Sequence, residues 1–260
     1  MKKTLVIGLA IGMALTATSA MATIVGSKHD MNQNASYGTD AQQRICVYCH
    51  HPHNSVKANA TGTGVNDLHY SPLWNREYRA DRDGDGNSDF IAYNNGVNMS
   101  NTTDKLSSTS KHLMNGKPAI GGVSLLCLSC HDGVTAVSAY SDNNPAGATG
   151  SVSLLNPNPA GNTKNIISGV AALGTDLSNH HPIGMSWNEV TANDDEIAQK
   201  TDTFKDTTIT IGSVLTGGDT MECSSCHDVH NTNVGGRNNA ERFLWTSNNS
   251  SHFCLSCHLK

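Results

Sequence analysis

Residues 221–230 read MECSSCHDVH: two cysteines three positions apart, Cys223 and Cys226, with His227 directly after the second. The same five-residue unit recurs at Cys46/Cys49/His50, Cys127/Cys130/His131 and Cys254/Cys257/His258, and these four units use every cysteine in the chain. A structural zinc site gathers two cysteine pairs around one metal and asks for no histidine behind each pair. A thioredoxin-like redox pair or a disulfide framework has no use for that histidine either. Covalent haem attachment needs all of it: two thiols add across the two vinyl groups of one haem, and the adjacent imidazole takes the proximal side of the iron. Four such units predict four haem c groups, with His50, His131, His227 and His258 as proximal ligands.

The first 22 residues have the organisation of an export leader. Lys2 and Lys3 form a charged start, an apolar stretch runs from Leu5 to Leu15, and Ala20-Met21-Ala22 suits cleavage before Thr23. The apolar stretch is short of the ~20 residues that a spanning helix requires, and no cysteine stands near the cleavage point to carry a lipid. The expectation is an exported chain, periplasmic or at the outer surface, with no membrane anchor and with 23–260 as a single four-haem unit. Export agrees with covalent haem attachment, which bacteria carry out beyond the inner membrane.

Composition explains why a cofactor is needed. Aromatic residues make up 5% and charged residues 15% of the chain, against 24 glycines, so side chains alone supply a thin core. Without help, such a composition tends to disorder. Four porphyrin plates would supply the missing apolar area, and the chain would fold around them as it takes them up. The expected fold is mostly irregular, with short helices and a few short strands, built around a haem stack. The formal net charge of −5, with no basic run, argues against nucleic acid as a partner. An acidic surface suits basic redox partners and serves solubility equally well.

The motifs are unevenly spaced: 81 residues separate Cys46 from Cys127, 96 separate Cys127 from Cys223, and 31 separate Cys223 from Cys254. Asn94–Ser110 and Ser141–Asn165 read as long loops. Thr207–Val214 alternates enough to predict a short strand with a turn at Gly217-Gly218, and Glu189–Lys200 has a helical composition.

Nine histidines remain for the distal side of the irons, and neutral imidazole is a good iron ligand. His53 follows His50 by three residues and His230 follows His227 by three, so each can face a neighbouring haem. Of His180 and His181, which precede Pro182, one is expected to ligate, because proline favours an extended, presented chain before it. His29 is an early candidate, with His112 as its rival. His51, His69 and His252 suit the surface or a propionate contact. Met31, Met99, Met114, Met185 and Met221 are the thioether alternatives, which the histidine surplus makes unnecessary. Bis-histidine ligation implies low potentials.

A second metal signal lies in Asp81–Asp89, DRDGDGNSD. Asp81, Asp83, Asp85 and Asp89 occupy positions 1, 3, 5 and 9 of an EF-hand-like loop with Gly86 at position 6. Position 12 is Ala92 in place of the closing Glu. The loop is a candidate structural calcium site, with a solvated acidic loop as the alternative.

In order along the chain, ICVYCHHPHN, PLWNR, LLCLSCHDG, DLSNHHPIGM, MECSSCHDVHN and FCLSCHLK resemble the exported multihaem c-type cytochromes with paired CxxCH motifs from metal-reducing bacteria. The resemblance covers most of the chain after the leader. It implies distal ligands at His29, His53, His181 and His230, and so favours His181 over His180. Where CHDPH is common in that family, this chain has CHDVH, which keeps the histidine. Four-haem members of the family include one that polymerises into conductive filaments, an analogy of architecture only. His29 on the leading arm and His258 near the other end would allow a head-to-tail contact, with His29 ligating a haem of the next subunit; a contact that does not close builds a filament. The resulting expectation is electron transfer to redox proteins or extracellular acceptors. A soluble periplasmic shuttle is the alternative. A multihaem oxyanion reductase is a further alternative, disfavoured because all four motifs end in histidine and no ligand position is conspicuously open.

Overall fold

The computed structural model describes residues 24–33, 43–50, 88–93, 117–137, 166–230 and 243–259, together with 74, 80, 81, 85, 113 and 114. The leader, His51, His53, His69, Asp83, His112 and the loops at 94–110 and 141–165 lie outside the described residues.

Among the described residues the α-helices are α1 (Ser124–His131), α2 (Trp187–Asn193), α3 (Ile211–Val214), α4 (Cys223–Cys226) and α5 (Cys254–Cys257), and Cys46–Tyr48 forms a 3-10 turn. The strands are β1 (Leu113–Met114), β2 (Lys117–Pro118), β3 (Met185–Ser186) and β4 (Thr220–Met221). They pair antiparallel, β1 with β2 and β3 with β4, the latter in the register Met185 to Met221. Every cysteine motif therefore sits on a helical turn.

Three small apolar clusters surround these turns. The first packs Leu125, Leu126 and Leu128 of α1 against Phe90, Ile120 and Leu177. The second holds Trp187, Phe204, Ile211 and Leu215, with Cys226 and Cys257 packed against it. The third joins Met31, Val47 and Tyr48 to Cys130, Val137 and Ile167, with Cys49 alongside. Full burial of one such side chain is worth about 1.5–3 kcal/mol. Cys49 and Cys130 share one cluster, and Cys226 and Cys257 share another, so the first motif neighbours the second and the third neighbours the fourth. Helices α1 and α4 also touch, which connects the second motif to the third.

Two local expectations are corrected. Residues 207–214 do not form a strand: Ile211–Val214 is the helical turn α3. The hydroxyls of this segment bond to nearby backbone, Thr207 Oγ1 to the Phe204 carbonyl (2.9 Å) and Ser213 Oγ to the Thr210 carbonyl (2.6 Å), which competes with a strand ladder. Gly212 donates to the Lys200 carbonyl, and a Cβ there would lie 3.1 Å from that oxygen, an approach that suits only glycine. The turn at Gly217-Gly218 is present, with φ of 61° and 75°, and it feeds β4. The helix expected over 189–200 is α2, two residues earlier at its start and ended at Asn193. Ser186 caps it by accepting the Glu189 N–H. Beyond it, Ile197 pairs with His258 and Ala198 donates to the Cys257 carbonyl (2.9 Å). Tertiary pairing with the last motif takes over from helix there.

Candidate functional site

One helical turn is the geometry a Cys-x-x-Cys-His unit needs. Residues i, i+3 and i+4 share a helix face, so both thiols and the imidazole project to one side. The closing bond runs from the histidine N–H to the first cysteine carbonyl: His50 to Cys46 (2.8 Å), His227 to Cys223 (3.1 Å) and His258 to Cys254 (3.0 Å). The chain after three of these histidines is held by a bridge to a distant segment, His50 with Trp74, His227 with Leu244 and His258 with Ile197. At the second motif, Leu173 N–H donates to the His131 carbonyl (2.8 Å).

Three of the four proximal histidines face a second histidine from elsewhere in the chain. Ring centroids are 6.0 Å apart for His131 and His29, 6.0 Å for His50 and His230, and 6.3 Å for His258 and His181. A first-row metal binds an imidazole nitrogen at about 2 Å, and the ring centroid lies about 1.1 Å behind that nitrogen, so two rings trans across one metal stand about 6 Å apart. Each pair thus has the ring separation that two imidazoles sharing one iron would have. His53 and its fellow candidate His112 lie outside the described residues.

Hydrogen bonds orient the rings. His131 Nδ1 lies 2.7 Å from the Ala171 carbonyl and His181 Nδ1 lies 2.9 Å from the Pro182 carbonyl. A ring that donates from Nδ1 leaves the Nε2 lone pair for a metal. His29 is held neutral by burial, reinforced by His131, His227 and His230, which bring its pKa down to about 4. Its ring stacks on Phe243 at 4.7 Å. The chain at His230 is turned by Asp228, whose Oδ1 accepts the backbone N–H of His230 at 3.1 Å. Trp74 packs edge-on against His50, and its buried indole N–H has no hydrogen-bond partner among the described residues; a haem propionate at this position would supply the acceptor. Phe243, Trp74 and Asp228 escaped the sequence reading. Only Asp228, next to His227 in CHDVH, had a local signal, that of an Asx turn.

The remaining histidines separate clearly. His180, exposed like His181, has no ring contact with a motif histidine and lies near Asp176, whose carboxyl is held low chiefly by Ser178. His252 pairs with Asp206 on the surface at 3.1 Å. His29, whose ring was considered for a neighbouring subunit, is seated against His131 of its own chain.

No two of the eight cysteines are joined in a disulfide. Burial pushes the Cys226 thiol up to about 12 and the Cys257 thiol up to about 11, so both are protonated at neutral pH, unlike the low-pKa thiols of redox catalysts. The neighbouring Cys223 thiol, and then burial, push Cys127 up as well.

Near the acidic loop, the Asp89 N–H donates to the Ala80 carbonyl (2.7 Å) and closes the neck of Asp81–Asp89. Asp81, Asp85 and Asp89 are described there and Asp83 is not. Among the described residues no group of three or more His, Cys, Asp or Glu converges on one point, and no helix is long and apolar enough to cross a membrane. No protein-family model and no curated protein sequence matches the chain.

Proposed function

We propose that this chain is an exported electron-transfer protein carrying four covalent c-type haems, each held by two histidines. The observation that carries the reading is the set of three histidine pairs at 6.0–6.3 Å, each joining a motif histidine to a remote one. A haem with two imidazole ligands supplies one-electron ferric/ferrous chemistry without a coordination site for substrate. The protein's own part is to attach, orient and insulate. Cysteines anchor the plates from helical turns, backbone carbonyls aim His131 and His181, and Phe243 and Trp74 wall the rings. The attachment turns neighbour one another in chain order, and His230, three residues past one motif, faces the histidine of another, so adjacent cofactors would lie close enough to exchange electrons. The equivalent reach from His53 to His227 completes the ligand set in this proposal. Calcium at Asp81–Asp89 would serve as a structural clamp.

Intact mass and visible spectroscopy of the mature protein test this. The expected result is a mass raised by four haems and low-spin spectra in both oxidation states. A mass without haem would overturn the reading, and a high-spin iron that binds nitrite would favour the reductase alternative. For assembly, an N-terminal His29 arm that exchanges its own His131 for that of a neighbouring chain would give a head-to-tail filament in place of a soluble shuttle. Electron microscopy of secreted material separates the two.

A further inference from the structure

We propose that Glu222 is a positioning residue that joins two haem-bearing helices at a common N-terminus and thereby fixes the mutual placement of the second and third haems. The proposal rests on the reading of Cys127/Cys130 and Cys223/Cys226 as attachment sites. Helix α1 lacks a cap of its own, since Val123 offers no side-chain acceptor. Its first N–H, from Ser124, is accepted instead by Glu222 Oε2 at 3.3 Å, from 98 residues away, and the Ser124 hydroxyl donates to the same oxygen. Glu222 is also the N-cap of α4, where its side chain accepts the Ser225 N–H and its own N–H donates to Ser225 Oγ (3.0 Å). Ser124 Oγ in turn accepts the Cys223 N–H at 3.2 Å.

The carboxyl group thus satisfies orphan donors at the start of both helices, where the helix dipole favours an acid. Glu222 is 1%, Ser124 0% and Ser225 4% exposed, so water does not compete for these bonds. The covalent path from the clasp to the cofactors is short. Cys127 lies one turn beyond Ser124, and Cys223 follows Glu222 directly.

The test compares wild type, Glu222→Gln, Glu222→Ala and Ser124→Ala as purified haem-loaded protein. Gln keeps a carbonyl oxygen with two lone pairs for Ser124, Ala removes every acceptor, and Ser124→Ala removes only the hydroxyl bridge. Intact mass counts the haems, electron paramagnetic resonance reads ligation, and visible circular dichroism reads the coupling of neighbouring haems through its bisignate signal. The expected result is four low-spin haems in every variant, with the bisignate amplitude near wild type in Glu222→Gln, severalfold smaller in Glu222→Ala and intermediate in Ser124→Ala. Wild-type amplitude in Glu222→Ala would overturn the proposal. If Glu222→Ala does not mature, wild-type amplitude in Ser124→Ala overturns it, and a reduced amplitude there with rescue in Glu222→Gln supports it. A mass without haem overturns the attachment reading itself, a result distinct from four haems with unchanged coupling.

Discussion

Replacing His181 by alanine, with His180→Ala as its neighbour control, separates two adjacent rings that differ in almost nothing but placement. His181 stands 6.3 Å from His258, with its Nδ1 anchored on the Pro182 carbonyl. His180, exposed like His181, has no ring contact with a motif histidine. The anchoring hydrogen bond is worth only about 0.5–1.5 kcal/mol, so His181→Ala should fold and mature normally. Its effect falls on one iron of four, because the other described pairs, His29 with His131 and His50 with His230, share no residue with it; independent sites behave additively. The assay is carbon monoxide uptake by the reduced protein, followed in the visible spectrum. Wild type and His180→Ala should take up none. His181→Ala should take up one per chain, with a quarter of the haem absorbance converted, and His29→Ala/His181→Ala should take up two. Uptake by His180→Ala with none by His181→Ala would refute the assignment. No uptake by any variant would refute the reasoning from ring spacing.

His29→Ala alone should keep four haems by mass and open one iron to carbon monoxide; if the secreted protein is filamentous, electron micrographs should show the filaments lost. Phe204→Ala should lower unfolding free energy by about 3–5 kcal/mol, since Phe204 is 2% exposed and stacks on Phe253 beside the last motif; an unchanged denaturant midpoint would count against that cluster as a support of the third and fourth sites. His252→Ala should leave the spectra unchanged and cost at most about 1 kcal/mol, as its exposed pair with Asp206 implies. Calcium should raise the melting temperature by binding the folded state, and Asp85→Asn should weaken that rise; equal melting with calcium and with chelator would leave the acidic loop simply solvated.

The readings that came from local chemistry and those that needed the folded chain divide along one physical line. A Cys-x-x-Cys-His unit is contained within one helical turn, so its helical geometry was legible from local sequence and the structure places every unit on such a turn. The triplet spacing of His227 and His230 is likewise local. The placement of His180 and His181 is not: both precede proline, and only the folded chain sets His181 beside His258. The strand expected at Thr207–Val214 failed because Gly212 is drawn against the Lys200 backbone, and α2 stopped early because residues 196–198 pair with the last motif. Phe243, Trp74 and the Glu222 clasp were invisible in sequence because their partners lie tens of residues away. By itself the sequence determined the four Cys-x-x-Cys-His units and the expectation of covalent attachment they carry, since each unit depends only on neighbouring residues. Tertiary structure decided which ring faces which, since that depends on contacts between segments that no local pattern encodes.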